Sequence, residues 1–163
     1  MSVVEYKIVG IKKDDETQLI LGHAGFIKTA EDLYEAMAGA APGIKFGVAF
    51  AEASGKRLVR TEGNDGALEK QAAENLLSIA AGHTFLVLFR GAFPINVVKH
   101  VSGVSEVARI YCATANSVKV IVASEGGSSS VLGVIDGQDS IGIENSADKV
   151  ERREFVRKIG YKK

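Results

Sequence analysis

The run Thr84-Phe85-Leu86-Val87-Leu88-Phe89 is apolar from its second residue to its last. A strand with one face in water alternates apolar and polar residues, so an unbroken apolar run predicts burial on both faces. Any fold of this chain must therefore carry the strand inside, with other elements packed on either side of it. The chain has 163 residues, enough for one domain with a real core, and its 46% hydrophobic content is ordinary for a globular protein.

The pattern around this strand predicts the other elements. Val4, Tyr6 and Ile8 alternate with Glu5 and Lys7 and read as a half-buried strand, followed by a polar turn over 12–16 and a strand over 18–21. Thr29 reads as an N-cap, with Asp32 at the capping-box position, for a helix to about Gly39 with a stripe of Leu33, Ala36, Met37 and Ala40. Strands over 44–51 and 57–61 join at Ala53-Ser54-Gly55, and Asn64 and Asp65 open a helix lined by Leu68, Ala72, Leu76, Ile79 and Ala80 that Gly82 ends. Pro94 suits the first turn of a short helix ending near Gly103. Strands over 107–113, 118–123 and 130–135 follow, then a polar connector over 136–145 and a last helix, 146–159, capped by Ser146.

The order repeats. A shift of 63 residues carries Glu62-Gly63 onto Glu125-Gly126 and the paired strands before them onto 107–116 and 119–126 without gaps. We expect an α+β (mixed α/β) single domain over 1–163, with two repeat halves at roughly 17–65 and 80–128 and helices packed on a mixed sheet. The hairpin turns near Ser54 and Asn116 would then be equivalent by a pseudo-two-fold axis. Two long apolar strands per unit leave edges to cover, which favours a homo-oligomer.

Charge narrows the function. Lys+Arg and Asp+Glu are both 20, so the basic excess of a broad nucleic-acid or membrane footprint is missing. Cys112 stands alone, no apolar run approaches the roughly 18 residues of a membrane span, and Met1 to Glu5 lack a basic start and apolar stretch. A cytoplasmic address is the expectation.

Common phosphate motifs are missing too. Gly55-Lys56 is followed by Arg57, and Phe50 stands where a P-loop needs its first glycine. His23, His83, His100 and Cys112 have no metal-ligand spacing, and no metal site is predicted. A divalent cation brought by a nucleoside phosphate would have Asp65 or Asp136 to meet it.

Several residues have both a chemical and an ordinary reading. The helix start after Glu62-Gly63-Asn64-Asp65 exposes amides that could hold phosphate, with Arg60 one strand step upstream, or it is simply a capped helix. Lys28 before Thr29 could hold phosphate or be solvated. His83, where a helix ends and the buried strand starts, could be a buried hydrogen-bonded residue, an acid/base or a phosphate acceptor. Glu52 could orient it or be an exposed strand charge. Asn116, after the small residues Ala113-Thr114-Ala115, could pair with an adenine edge or merely form a turn. His100 reads as surface and Cys112 as a small buried residue.

Read together, Phe26-Ile27-Lys28-Thr29, Ile44-Lys45-Phe46-Gly47, Glu52-Ala53-Ser54-Gly55, Gly63-Asn64-Asp65, Gly82-His83-Thr84-Phe85, Phe93-Pro94-Ile95-Asn96-Val97, Ala113-Thr114-Ala115-Asn116, Gly133-Val134-Ile135-Asp136-Gly137 and Arg157-Lys158-Ile159-Gly160-Tyr161 resemble the adenosine-specific kinase family over nearly the whole chain. The resemblance implies a compact fold with internal duplication, a homotrimer, adenosine or AMP as ligand, and a stable phosphohistidine. By motif position it implies His83 and Glu52 as catalytic candidates. It implies Lys28, Thr29, Lys45, Ser54, Asn64, Asp65, Thr114, Asn116 and Asp136 as ligand-binding candidates, and Arg60 joins them from its place just upstream of the Asn64 helix start. The chain departs from the family pattern at Gly25, where a histidine is common (His23 lies two positions earlier), at Ser117 in place of proline, and in lacking an arginine between Gly126 and Ser130. The expected function is adenosine- or AMP-linked phosphotransfer through His83. The alternatives are a non-catalytic adenine-nucleotide sensor and an interaction protein docking through Arg152, Arg153, Arg157, Lys158, Lys162 and Lys163, although cations there also complement a helix dipole.

Overall fold

The computed structural model describes residues 2–163. Its elements, in chain order, are β1 Glu5–Gly10, β2 Gln18–Ala24, α1 Thr29–Ala40, β3 Lys45–Ala51, β4 Val59–Gly63, α2 Gly66–Ile79, β5 Thr84–Arg90, α3 Pro94–Ser102, β6 Val107–Thr114, β7 Val118–Glu125, β8 Ser128–Asp136 and α4 Ser146–Lys158. The α+β class is the one expected. The strands, however, do not make one mixed sheet. They form a five-stranded sheet ordered β4-β3-β5-β2-β6 and a three-stranded sheet ordered β1-β7-β8, and every ladder is antiparallel.

β5 is the central strand of the larger sheet and is covered on both faces, as its apolar run requires. Phe85, Val87 and Phe89 pack with Leu33 and Met37 of α1 and Val97 and Val101 of α3. Leu86 and Leu88 pack the other way, with Leu68 and Leu76 of α2 and Val120 and Val122 of the small sheet. At roughly 25 cal/mol per Å² of apolar surface, such two-sided burial is the main force holding the layers together. Gly47 of β3 lets α2 approach, since a Cβ there would stand 2.1 Å from the backbone nitrogen of Glu69.

The repeated order is present as β2-α1-β3-β4 and β5-α3-β6-β7. β2 and β3 run in the same direction with β5 between them, and β5 and β6 run in the same direction with β2 between them. These are two interleaved split β-α-β units. Exchanging β2 with β5 and β3 with β6 returns the same strand order. The last strands break this correspondence, because β4 stays beside β3 whereas β7 leaves for the small sheet.

Three local expectations are corrected. Thr29 is not the N-cap of α1: Lys28 holds that position without a side-chain cap, and the Thr29 hydroxyl donates to the Phe26 carbonyl at 2.5 Å. α4 is capped by Asn145 rather than Ser146, with Asp148 completing the capping box. The apolar alternation of β1 faces outward, leaving Tyr6 70% and Ile8 62% exposed, because Val9 and the valines of β7 supply the packed face of the small sheet. No helix among the described residues is long and apolar enough to cross a membrane.

Candidate functional site

The topology divides the site candidates between the two ends of the five-stranded sheet. Phe50, near the end of β3, lies opposite Phe85 at the start of β5, while Lys45 lies opposite Arg90 at the finish of β5. Thr114, the last residue of β6, lies opposite Leu19, which pairs with Leu88 near that same finish. Lys28, Thr29, Glu52, Ser54, Arg60 and His83 therefore belong to one end, and Lys45, Asn64, Asp65, Thr114, Asn116 and Asp136 to the other. At ~3.3 Å per residue, the seven-residue β5 separates them by roughly 20 Å. A single site made by the turns near Ser54 and Asn116 is thus not formed within one chain. β3 and β6 run in opposite directions, so the turns that follow them lie at opposite ends of the sheet.

At the distal end the polar groups serve the fold. The Asn64 side chain accepts from Phe46 N at 2.9 Å and donates to Ile44 O at 2.8 Å, clamping the start of β3. Asp65 Oδ1 accepts from Ala67 N and Leu68 N, both at 3.1 Å, and so occupies the amides that an incoming phosphate would need. Asn116 N donates to Thr114 Oγ1 at 3.0 Å, and Asn116 Nδ2 donates to Asp136 Oδ1 at 3.1 Å, closing the turn into β7. Cys112 is buried, and burial, with Asp136 adding its charge, pushes its thiol up to about 11, so it stays a protonated core residue.

At the other end His83 is in the left-handed region, at φ 61°. Such a backbone costs a non-glycine residue roughly 1–2 kcal/mol. It is fixed by two bonds: His83 N donates to Ala51 O at 2.8 Å and His83 O accepts from Ala24 N at 2.9 Å, tying together the ends of β3 and β2. The imidazole is partly exposed. It stacks on Phe50 at 6.1 Å between centroids and meets His23 edge-on at 5.8 Å. The register puts His23 opposite both Thr84 and Arg109, so those three side chains leave one face of the sheet. Burial, then the neighbouring His83 and Arg109, hold the His23 imidazole below its ordinary value and keep it neutral near pH 7.

Glu52 braces the β3–β4 hairpin. Its carboxylate accepts from Leu58 N at 2.9 Å and from Arg60 Nε at 2.8 Å. The Leu58 amide and then Arg60 hold it below the usual carboxylate range. These bonds go to the hairpin rather than to His83. Lys28 bridges Asp32 and Glu106, and its ammonium is pushed up to about 12 by Asp32 first and Glu106 next. It joins the start of α1 to the α3–β6 loop.

A cleft of about 510 Å³ opens between the β3–β4 hairpin, the end of α2 and the β7–β8 turn; Gly82, the chain neighbour of His83, lines it, and the His83 side chain, stacked on Phe50, does not. Its wall includes Glu52, Lys56, Arg57, Leu58, Gly82 and Ser129. Two cations, a hydroxyl and an apolar side in a volume of this size suit a small polar ligand. Ser54 lies in the hairpin turn between Ala53 and Lys56, both of which line the cleft. Gly82 permits the hairpin to close here, since a Cβ on it would stand 2.8 Å from the Ala53 Cβ.

Local sequence assigns no role to His23 and does not single out Arg109, Lys56, Arg57 or Ser129. The period-2 pattern of β2 could have flagged His23. Arg109 reaches it only through the β2–β6 pairing, which no local pattern announces. Among the described residues, no group of three or more His, Cys, Asp or Glu is placed to hold a metal ion.

The family model described as adenosine specific kinase matches residues 9–162. Among solved structures, the crystal structure of PH1918 protein from Pyrococcus horikoshii OT3 superposes with a TM-score of 0.95 at 43% identity, covering 99% of each chain. No curated protein matches the sequence.

Proposed function

The chain belongs to the adenosine specific kinase family, and we propose that it binds adenosine or AMP in the cleft beside His83 and transfers a phosphoryl group through that histidine. The observation that carries this reading is the state of His83. Its imidazole makes no hydrogen bond among the described residues, is partly exposed, and is held by a constrained backbone directly after Gly82, which lines the cleft. An imidazole nitrogen with a free lone pair is a nucleophile toward phosphorus. In the first step it forms an N–P bond as the P–O bond of a phosphoanhydride donor breaks, and the bond's electron pair leaves on the donor oxygen. In the second, a nucleoside hydroxyl attacks phosphorus, the N–P electrons return to the ring, and the hydroxyl proton goes to a base. Neutral His23 is the neighbouring group able to take it. Lys56 and Arg57 supply the charge neutralisation such a transfer needs. This reading carries a homotrimer and a cytoplasmic address with it.

A second reading, an adenylate sensor without turnover, is favoured by one observation. Lys28 is already held by two carboxylates, and Lys45 and the Asn64 helix start lie at the far end of the sheet, so few of the expected cations reach His83. Calorimetric titration with adenosine, AMP, ATP and GMP, together with intact mass, separates the two. Adenylate-selective binding with a phosphate-sized mass increment that His83→Ala abolishes supports phosphotransfer. Selective binding without the increment supports the sensor, and absence of adenylate binding overturns both.

A further inference from the structure

Every non-glycine residue with a positive φ, among the described residues, lies at the His83 end of the molecule. They are Phe26, Arg57, Ala80 and His83, at 90°, 53°, 54° and 61°. Arg57 and Ala80 line the cleft, and Ala80 is the ordinary left-handed end of α2. Phe26 is the outlier. Its 90° lies beyond the left-handed helical well, where a bulky side chain is rarely found. Strain of this kind gathers at ligand sites, where the surrounding structure enforces it.

The surroundings do enforce it. Phe26 O accepts from Thr29 N at 3.1 Å and from the Thr29 hydroxyl at 2.5 Å, and Thr29 is fully buried. Just before it, Gly25 N donates to Glu106 O at 3.1 Å. These bonds hold the backbone but do nothing for the ring, which is 63% exposed and joins neither core cluster. The preceding residue inverts the usual role of glycine. Gly25 has no positive φ, and a Cβ on it would meet nothing within 4 Å. Glycine thus stands where the fold accepts any residue, and phenylalanine stands where the backbone favours glycine. Neither choice improves the packing of the chain itself, and broken local rules of this kind belong to functional sites. Both suit a flat group that approaches the bare backbone at Gly25 and lies against the ring.

We infer that the Gly25–Phe26 turn is the platform on which the base of the nucleoside stacks. The inference rests on the adenosine reading of the His83 site and adds to it the subsite that selects a flat aromatic group. Ala24 N is bonded to His83 O at 2.9 Å, and Phe26 follows Ala24 by two residues, at most about 8 Å of backbone. Phe26 leads into α1, which covers one face of the large sheet, whereas the end of α2, on the other face, bounds the cleft. The base on Phe26 then lies to one side of His83, and the phosphate end lies to the other, with Lys56 and Arg57. Every nucleobase has a π-face, so this platform sets the class of ligand, an aromatic heterocycle, rather than adenine over guanine.

The test uses the full chain with substitutions at position 26, whose ring lies outside the core. F26G removes the platform and relieves the backbone. It should bind adenosine roughly tenfold more weakly in calorimetric titration, while its denaturant midpoint equals or exceeds that of the parent. F26L keeps apolar bulk without a π-face and should lose affinity by a similar factor. F26W should keep the affinity of the parent. The chain has no tryptophan, so emission from F26W reports this one position. That emission should change on titration with adenosine and stay constant with ribose. A parent that binds adenosine while F26G and F26L bind it equally, or an F26W emission indifferent to adenosine, overturns the platform and leaves the His83 reading standing. An F26G protein clearly less stable than the parent makes the ring part of the fold and overturns it as well. A parent that binds no adenylate overturns both the platform and the reading it rests on.

Discussion

The His83 imidazole lies nearly parallel to the Phe50 ring, with 17° between their planes and 6.1 Å between centroids. The contact joins the left-handed residue before β5 to the buried end of β3 and sets the direction in which the imidazole faces. Because backbone and ring are constrained by different neighbours, substitutions at position 83 separate chemistry from strain.

Replacing His83 by alanine or glycine removes the imidazole and its stacking alike. The two variants then differ in how they tolerate φ 61°. His83→Gly should be more stable than His83→Ala by about 1 kcal/mol in denaturant unfolding. Equal midpoints would mean that the backbone relaxes once the ring is gone.

His23 gives a pH signature. Its folded value lies below the ordinary 6.5, chiefly through burial. The unfolded chain therefore binds a proton more readily, and stability present above pH 6.5 should fall as pH drops through the folded value. His23→Gln should flatten that limb of a Tm-against-pH curve. The carboxylates Asp14 and Glu52, both held low, act in a separate window below about pH 4.5, where their loss continues in the variant.

Gly82 and Ala53 form a steric pair. Gly82→Ala puts a Cβ 2.8 Å from that of Ala53 and should destabilise by about 1–3 kcal/mol. Ala53→Gly in the same chain should recover much of the loss. Gly47→Ala meets the α2 backbone instead, with no side chain to trim, and should abolish cooperative folding in thermal melts. A Gly47→Ala protein melting near the parent would show that α2 can shift away from β3.

Asp65 serves the helix. Asp65→Ala should lower stability by about 1 kcal/mol through loss of the α2 cap while leaving adenylate titrations unchanged. A variant of normal stability that no longer binds adenylates would return Asp65 to the ligand site.

The division between what was legible and what was not follows from the range of the forces. The two-sided burial of β5, the α2 cap at Asp65 and the β-α-β-β order could be read from the chain, because hydrophobic period and capping act over a few residues. The N-caps of α1 and α4 lie one residue before those expected: at α1 the Thr29 hydroxyl turns back to the Phe26 carbonyl and no side chain caps the helix, and at α4 the Asn145 side chain takes the amides that Ser146 was expected to cap. The outward face of β1 was misread because period-2 alternation says which residues share a face, not which face finds cover.

The candidate site was legible only as a set of residue types. Lys28 looked like a free cation because Glu106, its partner, comes from the distant α3–β6 loop. The pairing of His23 with Arg109 arises between β2 and β6. By itself the sequence determined the α+β class, the buried central strand and the family. The tertiary structure alone decided that His83 and Asn116 lie at opposite ends of one sheet and that His23 stands beside His83. The reason is that antiparallel interleaving of two units is a non-local choice, made by which strands pair, and local composition does not record it.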